Sequence, residues 1–145
     1  MQTANPTFPR SLHPSLRPGH STRLIWLALG SVALAEIAAH ARPDVLVLDL
    51  QHGLWDRTSL EAAIGIANQH VPVMVRIADD SMAAVANALD AGAAAVLVPL
   101  VETAADAQRI VQAGRYPPIG RRSAGGVRPL LHGLAGMRQA DSQTA

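Results

Sequence analysis

Apolar residues recur along the chain in four short runs, and each run is followed by a segment with helical spacing. The runs begin near residues 24, 44, 72 and 94. Continuous apolar runs of this length are typical of strands that are buried on both faces in a parallel sheet. Each following segment opens with a residue that can cap a helix: Ser31, Thr58, Asp80 or Ser81, and Thr103. The pattern predicts four successive βα units and an α/β fold.

Two architectures fit a series of βα units. An open doubly wound sheet usually has a glycine-rich turn after its first strand, where this chain has only Gly30. A (β/α)₈ barrel needs roughly 200 to 250 residues, and this chain of 145 residues could supply about half of one. A fifth strand would be due where the chain stops.

The regular pattern lapses after Ala113 into a segment rich in arginine, glycine and proline. We interpret this segment as a long loop on the ligand side of the sheet. Its arginines suit either anion binding or a solvated basic surface, and the sequence does not decide between them. The sequence pattern over residues 136–145 indicates neither a strand nor a strong amphipathic helix.

Composition excludes several classes of function. Cysteine is absent, which excludes disulfides, thiolate metal sites and cysteine nucleophiles. All 12 basic residues are arginines, so Schiff-base catalysis and a P-loop lysine are excluded within this chain. The net charge of +1 and the aromatic fraction of 3% give no reason to expect a nucleic-acid partner. With no apolar run of about 20 residues, we expect a cytoplasmic protein without a membrane partner.

The first 23 residues differ from the rest of the chain. They contain four prolines and three arginines but no acidic residue. Such a basic segment can be a transit peptide, but prolines would interrupt the amphipathic helix that transit peptides need. We therefore predict a mobile or irregular leader over residues 1–23 and one α/β domain over residues 24–145.

Polar residues follow the second apolar run directly, in the stretch DVLVLDLQH at residues 44–52. Asp49, Gln51 and His52 come at the carboxyl end of the predicted strand, which is where parallel α/β folds bind ligands. His52 lies in a loop beside Gly53 and could act as a general base or a metal ligand. The alternative is a partly buried histidine that is hydrogen-bonded to Asp49 or to the backbone.

Arg76 lies near the end of the third run, where a buried guanidinium needs an anionic partner. That partner is either a substrate carboxylate or an acid within the protein, Asp49 or Asp79. From the residues alone, Asp90 at the end of the third helix is interpreted as a surface acid. Glu102, after the fourth run, could face the site or be a helix-entry acid.

The chain resembles the HpcH/HpaI aldolase/citrate lyase family, and within it the metal-dependent hydroxy-keto-acid aldolases. The resemblance covers about Leu24 to Ser123 and rests on four segments in order: DVLVLDLQHG, PVMVRI, DAGAAAVLVPLVETAADA and RYPPIGRRS. It implies the N-terminal half of a (β/α)₈ barrel. It also implies that a carbon–carbon bond beside a pyruvate-like enolate is cleaved or formed with a divalent cation, Mg²⁺, Mn²⁺ or Co²⁺.

The resemblance implies roles for individual residues. His52 matches the family's catalytic histidine, and Arg76 matches the arginine that binds the keto acid and stabilises the enolate. Asp90 matches an aspartate that raises the basicity of that histidine. Asp49 matches the first acid of a D-x-E-H pattern, in which Gln51 stands where many members have Glu. The family's metal-binding Glu and Asp lie on strands five and six, and no residue of this chain corresponds to them.

Two hypotheses follow for the function. The first is a carbon–carbon lyase that cleaves a 4-hydroxy-2-oxo acid to pyruvate and an aldehyde, with homo-oligomers expected from the resemblance. The second is a truncated, inactive half-barrel that acts only as a binding or assembly module. An open half-barrel leaves strand edges and apolar faces unpaired, so it would need to associate.

Overall fold

A four-stranded parallel sheet forms the centre of the protein. The structure, a computed structural model, describes residues 11–19, 21–131 and 133–143. The strands lie side by side in chain order. They are β1 (Leu24–Leu27), β2 (Val45–Asp49), β3 (Val73–Arg76) and β4 (Ala95–Leu97). This order is that of neighbouring strands in a (β/α)₈ barrel, and the predicted α/β class is confirmed.

A helix follows each strand. The four are α1 (Val32–His40), α2 (Arg57–Ala67), α3 (Met82–Asp90) and α4 (Ala104–Gly114). The hydroxyls of Ser31, Ser81 and Thr103 cap α1, α3 and α4, and Asp106 completes a capping box in α4. These predicted helix starts are confirmed. In the described part of the chain, none of the helices is long and apolar enough to cross a membrane.

The start of α2 differs from the prediction. The sequence suggests a capping box of Thr58 and Glu61, but the N-cap is Asp56. Its carboxylate accepts the backbone N–H of Ser59 at 2.7 Å, and the Ser59 hydroxyl accepts the N–H of Asp56 at 3.1 Å. Glu61 instead accepts a hydrogen bond from Arg57 at 2.9 Å. The prediction is wrong because Asp56 satisfies the first free N–H groups two residues earlier.

The main hydrophobic core lies between the helices and one face of the sheet. Leu46 and Leu48 of β2, and Val73 and Val75 of β3, are fully buried on this face. Alternate strand residues point to the opposite face, which we call the inner face. Every residue of β2 is buried, which agrees with a strand covered on both faces.

The inner face is only partly covered. Three large apolar side chains there remain 38–51% exposed: Leu24, Trp26 and Leu97. In addition, β1 and β4 each have a single neighbouring strand in the described structure. The described strands therefore form an open sheet with two unpaired edges.

The segment at residues 11–19 covers part of the inner face. Leu12 is fully buried there, in contact with side chains from three strands: Val45, Met74 and Ala95. The hydroxyl of Thr22 donates to the carbonyl of Ser15 at 2.6 Å and holds the segment against the sheet. Of the predicted leader, residues 1–10 and 20 lie outside the described residues. The part around Leu12 packs as a component of the fold.

Shortening Leu12 tests that packing. Leu12→Ala is expected to lower the free energy of unfolding by about 2 kcal/mol, because it removes buried methyl groups and leaves a cavity. The matched control is Leu16→Ala, since Leu16 is 53% exposed and its loss should change stability by less than about 0.5 kcal/mol. Urea denaturation measures both. Equal stabilities for the two variants would show that residues 11–19 are not docked.

The arginine-rich segment after α4 does not lie on the ligand side of the sheet. Helix α4 returns the chain to the end of the sheet where the strands begin. The arginine-rich segment then packs against the C-terminal end of that helix. The N–H of Arg121 donates to the carbonyl of Gln112 at 2.7 Å, and the N–H of Arg122 donates to that of Arg115 at 2.9 Å. The predicted position is wrong because a helix in a βα unit runs antiparallel to its strand.

Two further helices follow, α5 (Val127–Leu130) and α6 (Gly133–Gln143). Arg128 fixes α5 by donating to the carbonyl of Ala91 at 2.6 Å and to that of Glu61 at 3.0 Å. Helix α6 buries Met137, and its Asp141 accepts the N–H of Tyr116 at 3.2 Å. The sequence pattern does not predict α6, because among those of its residues whose burial is described only Met137 is buried.

Candidate active site

An ion pair at the carboxyl ends of β2 and β3 is the centre of the candidate site. Asp49 and Arg76 are register partners, and both side chains lie on the inner face. Arg76 Nε donates to Oδ1 of Asp49 at 2.8 Å, and Nη2 donates to Oδ2 at 2.5 Å. Asp49 is buried, whereas the Arg76 side chain is 21% exposed. Of the partners predicted for Arg76 within the protein, the structure selects Asp49.

The Asp49 carboxylate accepts three more hydrogen bonds. The donors are Trp26 Nε1 at 3.1 Å and the backbone N–H groups of Gln51 at 3.0 Å and His52 at 3.3 Å. The hydrogen bond from Arg76 is the largest cause that holds the pKa of Asp49 well below its ordinary value, although burial opposes it. The same bond raises the pKa of Arg76. Asp49 is thus a charged acceptor with both oxygens engaged, which does not suit a base or a metal ligand.

His52 lies in the loop between β2 and α2. Its backbone is fixed by Asp49, and the loop is held to the preceding βα loop because Leu54 N–H donates to the Ala28 carbonyl at 2.7 Å. The residue is exposed, and within the described ranges its imidazole has no hydrogen-bond partner. The sequence suggests, as an alternative to a catalytic role, a hydrogen bond between His52 and Asp49. The backbone N–H of His52 makes this bond, so the imidazole ring stays accessible.

Asp90 lies at the opposite end of the sheet from His52, where the strands begin. It is the last residue of α3, and its Oδ1 accepts from Arg122 Nη2 at 2.8 Å. The Arg122 side chain is buried, with its guanidinium carbon 4.6 Å from the centre of the Tyr116 ring. Since α3 runs back along the sheet, the structure does not bring Asp90 to His52 within one chain. The role suggested for Asp90 stays a prediction.

The described residues do not form a metal centre. Within residues 11–19, 21–131 and 133–143, no three His, Cys, Asp or Glu side chains are placed to hold an ion together. Asp49, the acid that binds the backbone N–H of His52, has both oxygens occupied by other hydrogen bonds. Gln51 contributes its backbone N–H to the same carboxylate, and Glu102 is exposed beyond β4.

Trp26 is a site residue that the sequence analysis does not identify. It is on β1, where it donates to Asp49, and the centre of its ring lies 5.0 Å from the guanidinium carbon of Arg76. Two features of the sequence together could have identified Trp26. An indole N–H on a strand that packs in a sheet needs an acceptor. The two-residue period of a strand places Trp26 on the same face as Asp49 once the strands are in register.

Comparisons with known proteins agree with this arrangement. The model of the HpcH/HpaI aldolase/citrate lyase family matches residues 23–140. The chain belongs to this family. It is 37% identical over 120 residues to a 4-hydroxy-2-oxovalerate aldolase from Novosphingobium aromaticivorans, a match that covers 81% of this chain and 46% of the relative. It is 35% identical over 147 residues to a hydroxypyruvate/pyruvate aldolase from Paraburkholderia phytofirmans, with 96% and 55% covered.

Solved HpcH/HpaI structures share the fold. A family protein from Burkholderia cenocepacia superposes with a TM-score of 0.81 at 34% identity, over 92% of this chain and 56% of that one. The chain therefore spans about half the length of the curated relatives it matches. Its four βα units are about half of the (β/α)₈ barrel of these HpcH/HpaI proteins, as the resemblance implied.

Proposed function

We propose that this chain is the N-terminal half of an aldolase that cleaves a 4-hydroxy-2-oxo acid to pyruvate and an aldehyde. The observation that carries the proposal is the accessible imidazole of His52. Its loop is held by a backbone hydrogen bond to Asp49, which pairs with Arg76 at the carboxyl ends of the strands. This edge is where barrel enzymes perform their chemistry. The aldolase names of the relatives support the reaction class.

The chain's own residues can supply two parts of the reaction. His52 takes the proton from the 4-hydroxyl group, and the C3–C4 bond then breaks to an aldehyde and the enolate of pyruvate. Arg76 stabilises the negative charge on the keto acid and the enolate oxygen. Among the described residues its Nη1 has no hydrogen-bond partner, so this nitrogen is available to an anion. Asp49 keeps Arg76 charged and oriented.

The family resemblance implies a divalent cation, which when bound polarises the keto group of the substrate. The described residues of this chain do not fit such an ion, because the Asp49 oxygens are engaged and no acidic or histidine cluster converges near His52. The described residues therefore supply proton removal by His52 and anion binding by Arg76.

The test measures pyruvate release from 4-hydroxy-2-oxovalerate in the presence of Mg²⁺, Mn²⁺ or Co²⁺. We expect release that falls by about 100-fold or more in His52→Ala, the usual effect of losing a general base. A sample treated with EDTA shows whether an added cation is needed. His40→Ala is the matched control, because His40 is exposed at the end of α1, away from the carboxyl edge. Release that survives His52→Ala contradicts the proposal.

The open sheet favours a second candidate, a half-barrel that acts only in binding or assembly. In the part of the chain that the structure describes, β1 and β4 each have an unpaired edge. Unpaired strand edges and exposed apolar side chains on the inner face favour association. No pyruvate release with any of the three cations, together with a mass in light scattering that rises with concentration, would support this candidate. Pyruvate release that requires His52 supports the lyase, and the same mass measurement tests the homo-oligomer expected for it.

A further inference from the structure

We propose that Trp26 is a positioning residue that fixes the orientation of the Arg76 guanidinium through Asp49. Its function in catalysis rests on the lyase proposed above, whereas its effect on Arg76 does not. Trp26 touches both members of the ion pair, by a hydrogen bond to Asp49 and by its ring face toward Arg76. Among the described residues, no other side chain has a hydrogen bond or ring contact with both.

The strand register explains why a tryptophan is needed at this position. Trp26 is paired with Val47, two residues before Asp49 on the same face, while Arg76 lies one strand further on. Neighbouring strands are about 4.8 Å apart, so a side chain on β1 must cross β2 to reach β3. The indole is long enough to do so, and its ring centre lies 5.0 Å from the Arg76 guanidinium carbon.

The hydrogen bonds of Asp49 show what Trp26 contributes. Oδ1 accepts from Arg76 Nε and from the backbone of the His52 loop. Oδ2 accepts only from Arg76 Nη2 and Trp26 Nε1 among the described residues. Among the described residues, Trp26 is thus the one donor other than Arg76 that fixes Oδ2. Without Trp26, Oδ2 is held only by Arg76, and the backbone bonds to Oδ1 alone resist rotation of the pair.

The ring of Trp26 restricts Arg76 in a second way. A guanidinium that lies over an indole face gains a cation–π attraction, which opposes tilting of its plane. With Nε and Nη2 held by Asp49 and one face near Trp26, the direction of Nη1 is set.

The chain offers a matched control in Trp55, its other tryptophan. Trp55 is buried in the main core, and its Nε1 donates to the carbonyl of Leu27 at 2.9 Å. It has no hydrogen bond or ring contact with Asp49 or Arg76 in the described structure. Trp55→Phe therefore loses an indole hydrogen bond and stability, but leaves the ion pair intact.

The test follows the ¹⁵N–¹H NMR signal of Arg76 Nε in the whole chain, assigned by its loss in Arg76→Gln. In Trp26→Leu we expect the ring-current shift to disappear and exchange of this proton with water to accelerate about tenfold, the effect of weakening one charged hydrogen bond. Trp26→Phe should accelerate exchange similarly while retaining part of the shift. Trp55→Phe should leave the signal unchanged. Wild-type shift and exchange in both Trp26 variants would overturn the proposal.

Kinetics give a second, separable result. If the chain releases pyruvate, Trp26→Leu should raise KM for 4-hydroxy-2-oxovalerate by about tenfold, with a smaller change in kcat, because Arg76 binds the keto acid less well. An unchanged KM overturns the positioning function. If the wild-type chain releases no pyruvate, the lyase proposal fails, while the Arg76 signal still decides whether Trp26 orients the guanidinium.

Discussion

Replacing Asp49 with asparagine is expected to lower the free energy of unfolding by about 3 kcal/mol, the lower end of the range for breaking a buried ion pair. The amide cannot neutralise Arg76, whose Nε and Nη2 both donate to the carboxylate. An amide nitrogen in the place of Oδ2 would also face two donors, Trp26 Nε1 and Arg76 Nη2. Urea denaturation measures the loss. The lower end applies because the Arg76 side chain is 21% exposed and can turn toward water.

Asp44→Asn is the control for this substitution. Asp44 also pairs with an arginine, Arg23, at 3.3 Å, but the Arg23 side chain is 77% exposed. Exposed pairs contribute about 1 kcal/mol or less, so the control should lose little. The double variant Asp49→Asn, Arg76→Gln should recover part of the stability by removing the uncompensated charge. A double variant no more stable than Asp49→Asn would contradict the ion-pair explanation.

The same pair predicts how stability depends on pH. Arg76 first, and then the backbone and Trp26 hydrogen bonds, hold the pKa of Asp49 in the folded state below its value in the unfolded chain, which is about 3.9. A lowered pKa stabilises the fold fully above the unfolded value, and that stability is lost as pH falls toward the folded value. The difference in unfolding free energy between wild type and Asp49→Asn should therefore be constant above about pH 5 and shrink below it. A difference that stays constant down to pH 3 would contradict this prediction.

The fold could be predicted where local signals determine it. Each apolar run became a strand, and the caps Ser31, Ser81 and Thr103 opened their helices, because a side-chain oxygen and the N–H groups it satisfies lie within three residues. The position of the arginine-rich segment could not be predicted from such local signals. Its side of the sheet follows from the course of α4, which runs antiparallel to its strand. The contact between Arg122 and Asp90, 32 positions apart, then fixes it there.

The candidate site could be predicted in part. The rule that ligands bind at the carboxyl ends of parallel strands located Asp49, His52 and Arg76 together. It could not decide between Asp49 and Asp79 as the partner of Arg76, since the register of β2 and β3 is a tertiary property. In the structure Asp79 instead accepts the backbone N–H of Ser81 at 2.9 Å in a turn of its own.

Gly53→Ala is expected to displace the His52 loop and to lower the free energy of unfolding by about 3 kcal/mol, the upper end for inserting a methyl group into packed atoms. A Cβ at Gly53 would lie 2.0 Å from the Asp49 carbonyl oxygen and 2.9 Å from that of Ala28. Both contacts are with backbone, so neither can be relieved by a side-chain rotation. The adjacent bond from Leu54 N–H to the Ala28 carbonyl would be strained as well.

Gly125→Ala is the matched control, because a Cβ at Gly125 meets no atom within 4 Å and its backbone is not left-handed. It should change stability by less than about 0.5 kcal/mol, or raise it slightly by restricting the unfolded chain. Amide hydrogen exchange gives the local result. The N–H groups of Gln51 and His52, both bound to Asp49, should exchange faster in Gly53→Ala and as in wild type in Gly125→Ala. If the two alanine variants behave alike, the glycine after His52 is not what allows the loop to pass the end of β2.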